Sequence, residues 1–306
     1  RHAKSLAGRC TRRARGKRIE IDQSEIDSLL VLVDNSMSTY LNNSTISRLN
    51  KGEDVALDSL ISIVIKRSIS ICNETDGMFD ITVAPIVNYW GFGPHKINKK
   101  YSDSLNMTLN LVGCDKISID DDQIIKSDSV KIDVNGIAQG FSVDFISDYL
   151  KKQHDIKDFM VEVGGELRCE GNNSGNGWKI GIDSPDKVRS GFAFIVNLSD
   201  ISLATSGSYR NYYYLDTIKI NHTINPKTFK PTQNKLISAT VLFSDCMSAD
   251  AYATACMSFG LKGAKDFLNK NQIMGAMIYT EGKDTLTYFS PGFSSFLHFS
   301  PGSAPQ

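Results

Sequence analysis

The chain has 306 residues, 41% of them hydrophobic, with 34 basic and 34 acidic side chains. Residues 1–18 hold eight Lys or Arg and no acid, which leaves 26 basic against 34 acidic residues, a net of −8, for residues 19–306. A mildly acidic body argues against nucleic-acid binding, and the lack of any 18-residue apolar run argues against a membrane span.

The basic head, "RHAKSLAGRCTRRARGKR", shows little apolar periodicity and reads as a flexible or non-native segment, 1–18, preceding one compact domain over 19–306. Helical spacing begins in "SEIDSLLVLVDNSM", where Ile26, Leu29, Leu30, Val33 and Met37 share a face and Ser24 is the expected cap. A second helix is expected over Asp58–Thr75, ending near Gly77. "YSDSLNMTLNLVGC" reads as a short helix and turn, and "VKIDV" (130–134) as a strand followed by "NGIAQGFSVDFISDYLKK", a glycine turn running into a helix. Strands are expected at "FMVEVGG", "WKIGID", "AFIVNL", "TIKIN", "LISATVLF", "MGAMIYT" and "TLTYF". "EVGGELRCEG" and "ATSGSYRNYYY" read as loops able to line a cleft. Sequential alternating strands predict antiparallel pairing, and helices in both halves make the class α+β.

"MSADAYATACMSFG" (247–260) reads as a buried helix capped by Ser248 and stopped at Gly260. Asp250 and Thr254 are four apart and so share a face. Two readings stand open. Asp250 can simply favour the positive end of the helix dipole while Thr254 bonds a backbone carbonyl. Alternatively, the two oxygens form part of a hard-cation site.

Several motifs are missing. There is no GxxxxGK[ST], no HExxH, no GxSxG and no CxxC. The six cysteines, at 10, 72, 114, 169, 246 and 256, show no disulfide framework and read mostly as small buried hydrophobes. "TDGMFDITVAPIVNYWGFGP" places Trp90 and Phe92 where they can stack on a flat ring, and Arg210 is a candidate phosphate contact. "DVNGIAQGFSVD" offers a helix N-terminus suited to phosphate, with Asp133 and Gln139 as polar contacts. The residues alone point to a phosphate-bearing ligand, with Mg²⁺ as a possible companion, and do not name it.

Taken in order, "SMSTYLNNSTISRLN", "TDGMFDITVAPIVNYWGFGP", "KIDVNGIAQGFSVD", "VEVGGELRCEG", "WKIGIDSP", "ATSGSYRNYY", "HTINPKT" and "SADAYATACMSFG" resemble the ApbE family of FAD:protein FMN transferases. The resemblance implies a single T-fold-like domain with antiparallel sheets and flanking helices. It implies Mg²⁺-dependent splitting of FAD, with FMN passing to a threonine hydroxyl of a flavoprotein subunit of a membrane redox complex, and AMP leaving. FAD is then substrate, not redox cofactor. FAD pyrophosphatase activity, or FAD binding without turnover, are the alternatives. By the same resemblance, Asp250, Thr254 and the Gly136 carbonyl hold Mg²⁺, and His222 activates the hydroxyl. Tyr40, Met78, Phe79, Asp80, Asp133, Gln139, Ile224 and Ala253 match FAD-contact positions. Relatives of this kind are commonly exported lipoproteins, which implies a periplasmic or outer-face location. Two departures stand out: Phe229 occupies a position usually held by glycine, and the head lacks the family's Gly-Thr-Thr-Tyr-like strand.

Overall fold

The structure is a computed structural model that describes residues 9–12, 21–94, 109–120, 123–185, 191–208, 211–215 and 217–298. Seven strands form the main sheet in the order Arg9–Arg12, Phe159–Val163, Glu166–Glu170, Ile201–Gly207, Leu236–Phe243, Met274–Glu281 and Asp284–Phe289. Every neighbouring pair is antiparallel. Four residues of the basic head, Arg9–Arg12, thus pair at the sheet edge with Phe159–Glu162.

Period-two alternation buries both faces of the central strands. Ala204, Ala239, Val241 and Met277 face the main core, with the helices. Leu203, Leu242 and Ala276 face the opposite way, onto the Trp178–Asp183 and Phe192–Leu198 hairpin and Phe293. This is why "LISATVLF" is almost continuously buried.

Six α-helices flank the sheet among the described residues: α1 (Gln23–Met37), α2 (Thr45–Lys51), α3 (Ser59–Glu74), α4 (Ala84–Tyr89), α5 (Ala138–His154) and α6 (Cys246–Lys270). Aspartates, not the expected Ser24 and Ser248, cap α1 and α6, and an aspartate also caps α3. Asp22 caps α1 in a reciprocal box with Glu25, and Asp245 caps α6 by accepting from the Ser248 N–H at 2.7 Å. Asp58 caps α3 through the N–H groups of Leu60 and Ile61, and also accepts from Ser36 on α1 and Thr45 on α2. Gly260 breaks α6 with φ 71°, but the chain resumes as helix to Lys270, so it marks a kink and not the expected stop.

Three other expectations change. Residues 130–134 are extended without being a sheet strand. The Asn50 side chain takes the place of a partner strand, accepting from the Ile132 N–H at 2.7 Å and donating to the Ile132 carbonyl at 2.8 Å. "EVGGELRCEG" is a tight hairpin, because Gly164 and Gly165 adopt φ of 64° and 117° and turn one strand directly into the next. "ATSG" likewise ends the Ile201–Gly207 strand. Finally, Cys72 and Cys114 form a disulfide, so the cysteines are not all isolated hydrophobes, although Cys169, Cys246 and Cys256 are free and buried. Spacing alone cannot reveal a pair separated by 42 residues.

The N-termini of α5 and α6 meet closely. Asp144 of α5 accepts from the N–H groups of Cys246 and Met247 at 3.0 and 2.8 Å, satisfying two donors at the start of α6. Gly140 lets the helices touch: a Cβ there would lie 2.3 Å from the Cys246 carbonyl oxygen. That atom belongs to backbone and cannot swing aside. Gly140→Ala is therefore expected to destabilise the protein by about 3 kcal/mol or more, read as a lowered denaturation midpoint.

Candidate active site

A cleft of about 490 Å³ opens where α5, α6, the Thr75–Asp80 loop, the end of the Ile201–Gly207 strand and the His222–Pro226 segment converge. Of the residues singled out in the sequence, Tyr40, Met78, Phe79, Asp80, Asp133, Gly136, Gln139, His222, Ile224, Asp250 and Thr254 all line it. Ala253 does not. It precedes Thr254 by about 100° of helical rotation and is fully buried in the main core. Arg210 lies outside the described residues.

Asp250 sits at the closed end. It is 4% exposed and accepts a 3.1 Å hydrogen bond from the Gly140 N–H at the start of α5. Burial raises its pKa to about 7, against the lowering effect of that bond. No cationic side chain among the described residues pairs with it. One turn on, Thr254 Oγ1 shares a 3.2 Å hydrogen bond with Ser206 Oγ. A Cβ on Gly136 would lie 3.1 Å from Thr254 Oγ1 and 3.4 Å from the Phe79 ring, so the backbone at Gly136 abuts this helix face.

A buried carboxylate without a cationic partner and a hydroxyl one turn on are oxygen donors of the kind a hard divalent cation takes. The wider cleft agrees. Asp80, Asp133, Glu166 and Asp250 all line it, with no Lys or Arg among its described lining residues. An anionic ligand in such a cleft requires a cation to offset the repulsion.

His222 lines the cleft from another wall. Its Nδ1–H donates to the Asn211 carbonyl at 3.1 Å, which leaves the Nε2 lone pair free to accept a proton. Burial pulls its pKa below the ordinary histidine value, and the Asn211 bond opposes this. Phe92 holds the imidazole edge-on at 6.2 Å and also packs against Tyr213, 5.4 Å away.

Asp80, Asp133, Gln139 and Tyr40, the last 56% exposed, define the remaining wall. Asp80 accepts from the Thr82 N–H and hydroxyl at 2.8 and 2.6 Å, and burial raises its pKa. Asp133 accepts from the Asn135 N–H, and burial raises it too. The Tyr40 phenol is raised by burial and by the Asp133 charge. Gln139 donates to the Val163 carbonyl at 2.9 Å across Gly164, where any Cβ would lie 1.7 Å from its amide nitrogen.

Phe229 adopts φ 59°, in the left-handed region that glycine would enter without strain. The turn nevertheless closes: the Phe229 N–H donates to the Asn225 carbonyl at 2.8 Å, and Trp90 Nε1–H donates to the Phe229 carbonyl at 2.9 Å. The ring packs with Trp90 and Phe92 beside Ile86 and Ile224. His222 keeps its place in the cleft. Left-handed backbone costs roughly 1–2 kcal/mol, while glycine would forfeit the ring's packing. Phe229→Gly should therefore change unfolding free energy by less than about 1 kcal/mol in denaturant titration.

The family model for the ApbE family matches residues 9–278. The chain belongs to the ApbE family. It is 36% identical over 282 residues to the FAD:protein FMN transferase of Vibrio cholerae, covering 90% of this chain and 84% of that protein. Its Escherichia coli counterpart is 31% identical over 286 residues, covering 90% and 81%. The solved flavin transferase ApbE from Vibrio cholerae superposes with a TM-score of 0.82 at 35% identity, over 90% of each chain. The mixed helical and antiparallel-sheet domain is thus the family's fold.

Among the lining residues that escaped residue-level notice in the sequence are Glu166, Asn211, Thr223 and Ser258. The first two lie in the two segments read there as cleft-lining loops. Their side chains could not be chosen until strand pairing fixed which ones face inward.

Proposed function

We propose that this ApbE-family protein transfers FMN from FAD to a threonine hydroxyl of a flavoprotein subunit of a membrane redox complex, releasing AMP. One observation carries the proposal: a buried oxygen-donor site, at Asp250 and Thr254, shares a cleft with a histidine whose Nε2 is free. Asp250, Thr254 and the Gly136 carbonyl would hold Mg²⁺. The bound ion would screen the diphosphate charge and stabilise the departing AMP phosphate.

The chain's own groups supply the rest. Tyr40, Met78 and Phe79 offer ring and thioether surface to the isoalloxazine, with Ile224 on the facing segment. Asp80, Asp133 and Gln139 offer polar contacts. His222 Nε2 accepts the proton of the incoming hydroxyl as its oxygen attacks the FMN phosphorus and the phosphoanhydride bond to AMP breaks. The Asn211 carbonyl holds the tautomer in which Nε2 is the acceptor. We place the protein on the outer face of the cytoplasmic membrane, as a lipoprotein. A disulfide between Cys72 and Cys114 supports an oxidising compartment.

The test is incubation with FAD and Mg²⁺, with and without a threonine-bearing flavoprotein subunit, following FMN, AMP and acceptor mass. An acceptor heavier by one FMN supports transfer. Free FMN and AMP with an unmodified acceptor would make the protein a pyrophosphatase. Intact FAD in both reactions would reduce it to a binding protein.

A further inference from the structure

The Cys72–Cys114 disulfide lies against the cleft. Cys72 is near the end of α3, three residues before Thr75, where the cleft-lining loop to Asp80 begins. The Sγ atoms of both cysteines and a carboxylate oxygen of Asp80 all lie within 4.8 Å of one another. Cys114 also donates its backbone N–H to the Asp80 carboxylate, and the neighbouring Gly113 N–H donates to Thr82 Oγ1 at 2.7 Å. Thr82 Oγ1 in turn donates to Asp80. The segment at 113–114 is therefore fastened to the loop twice. Hydrogen bonds reach Asp80 and Thr82 at one end of the loop, and the disulfide reaches Cys72 ahead of the other.

We propose that the Cys72–Cys114 disulfide is a positioning element for FAD binding, acting through Asp80, and that its reduction loosens FAD in this cleft. The inference rests on reading the cleft as the FAD site. The disulfide holds the Cys114 N–H against Asp80, so the carboxylate keeps a fixed direction where it lines the cleft. Without the covalent link, only two hydrogen bonds join the segment to the loop. Half-buried Cys114 offers the sulfur open to attack, whereas Cys72 is 1% exposed. A small dithiol attacks Cys114 Sγ and the protein S–S bond breaks. The dithiol closes to its own disulfide, and its two protons pass to the Cys72 and Cys114 thiols. Cys169 and Cys256, both buried with thiols pushed up to about 12, take no part.

The experiment measures FAD affinity by flavin fluorescence in Mg²⁺ buffer, before and after dithiothreitol and again after reoxidation, with circular dichroism on the same samples. The dissociation constant should rise at least tenfold on reduction and return on reoxidation. Cys72→Ser/Cys114→Ser and Cys114→Ser should reproduce the reduced value without reductant. In Asp80→Asn, oxidised and reduced protein should differ less than twofold, a loss of coupling that a general staple would not produce. Equal affinity in both redox states, an undiminished redox effect in Asp80→Asn, or global unfolding on reduction would each overturn the proposal. Failure of the oxidised protein to bind FAD at all would instead overturn the reading of the cleft.

Discussion

His222→Ala is expected to lower FMN transfer by roughly 10²–10⁴-fold, the range for losing a general base, while FAD affinity stays within about threefold. The split follows from where the imidazole is anchored. Its ring is held by the Asn211 carbonyl and by Phe92, not by any of the polar groups assigned to FAD. Rapid-mixing measurement of AMP release, beside equilibrium FAD binding, separates the two effects. The pH profile gives a second check. Burial depresses the His222 pKa below its ordinary value of 6.5, so the neutral, proton-accepting form already prevails at pH 7. Transfer should be flat from pH 7 upward as far as this group is concerned. It should fall on the acid side, as pH drops through the depressed value. A rate that fell equally with FAD affinity in His222→Ala, or an acid limb centred above 6.5, would remove the base role.

Legibility in the sequence varied with how local the determinant was. The Asp250–Thr254 pair could be seen because four-residue spacing on a helix fixes a shared face without further information. The capping aspartates were mistaken for serines because the competing candidates stand two or three residues apart and helix ends are locally ambiguous. Residues 130–134 alternate like a strand, yet their backbone partner is the Asn50 side chain, supplied from another part of the chain. The Gly164–Gly165 pair signalled a turn, but only its positive φ values make it tight enough to join two paired strands. Non-local facts were the hardest. Nothing at Gly140 announces that α6 passes 2.3 Å from a would-be Cβ, and nothing in the spacing of Cys72 and Cys114 announces their bond. The site residues themselves emerged from the ordered family resemblance. The cleft then united all of them except Ala253, whose helical phase points it into the core.

Asp250→Asn should make the metal-free protein more stable while abolishing Mg²⁺-dependent turnover. The carboxyl is buried beside apolar helix and held by one 3.1 Å hydrogen bond from the Gly140 N–H. Its folded pKa of about 7 stands above the ordinary 3.8, so the folded state binds the proton more tightly than the unfolded chain. Well below pH 3.8 both states are protonated and the carboxyl costs nothing. As pH rises through the window from 3.8 to about 7, stability is lost, because the unfolded chain releases the proton first. Above that window the full cost applies, with an upper limit on the order of 4 kcal/mol at 1.36 kcal/mol per pH unit. Asparagine keeps an oxygen for the Gly140 N–H and carries no charge. At pH 8 without metal, the variant should therefore melt several degrees higher than the parent, and the difference should vanish as pH falls well below 3.8. Added Mg²⁺ should raise the melting temperature of the parent alone, because only the parent offers an anionic ligand to the ion. A variant that melts lower than the parent at pH 8, or gains equally from Mg²⁺, would show that Asp250 serves as a structural cap rather than as the cation's partner.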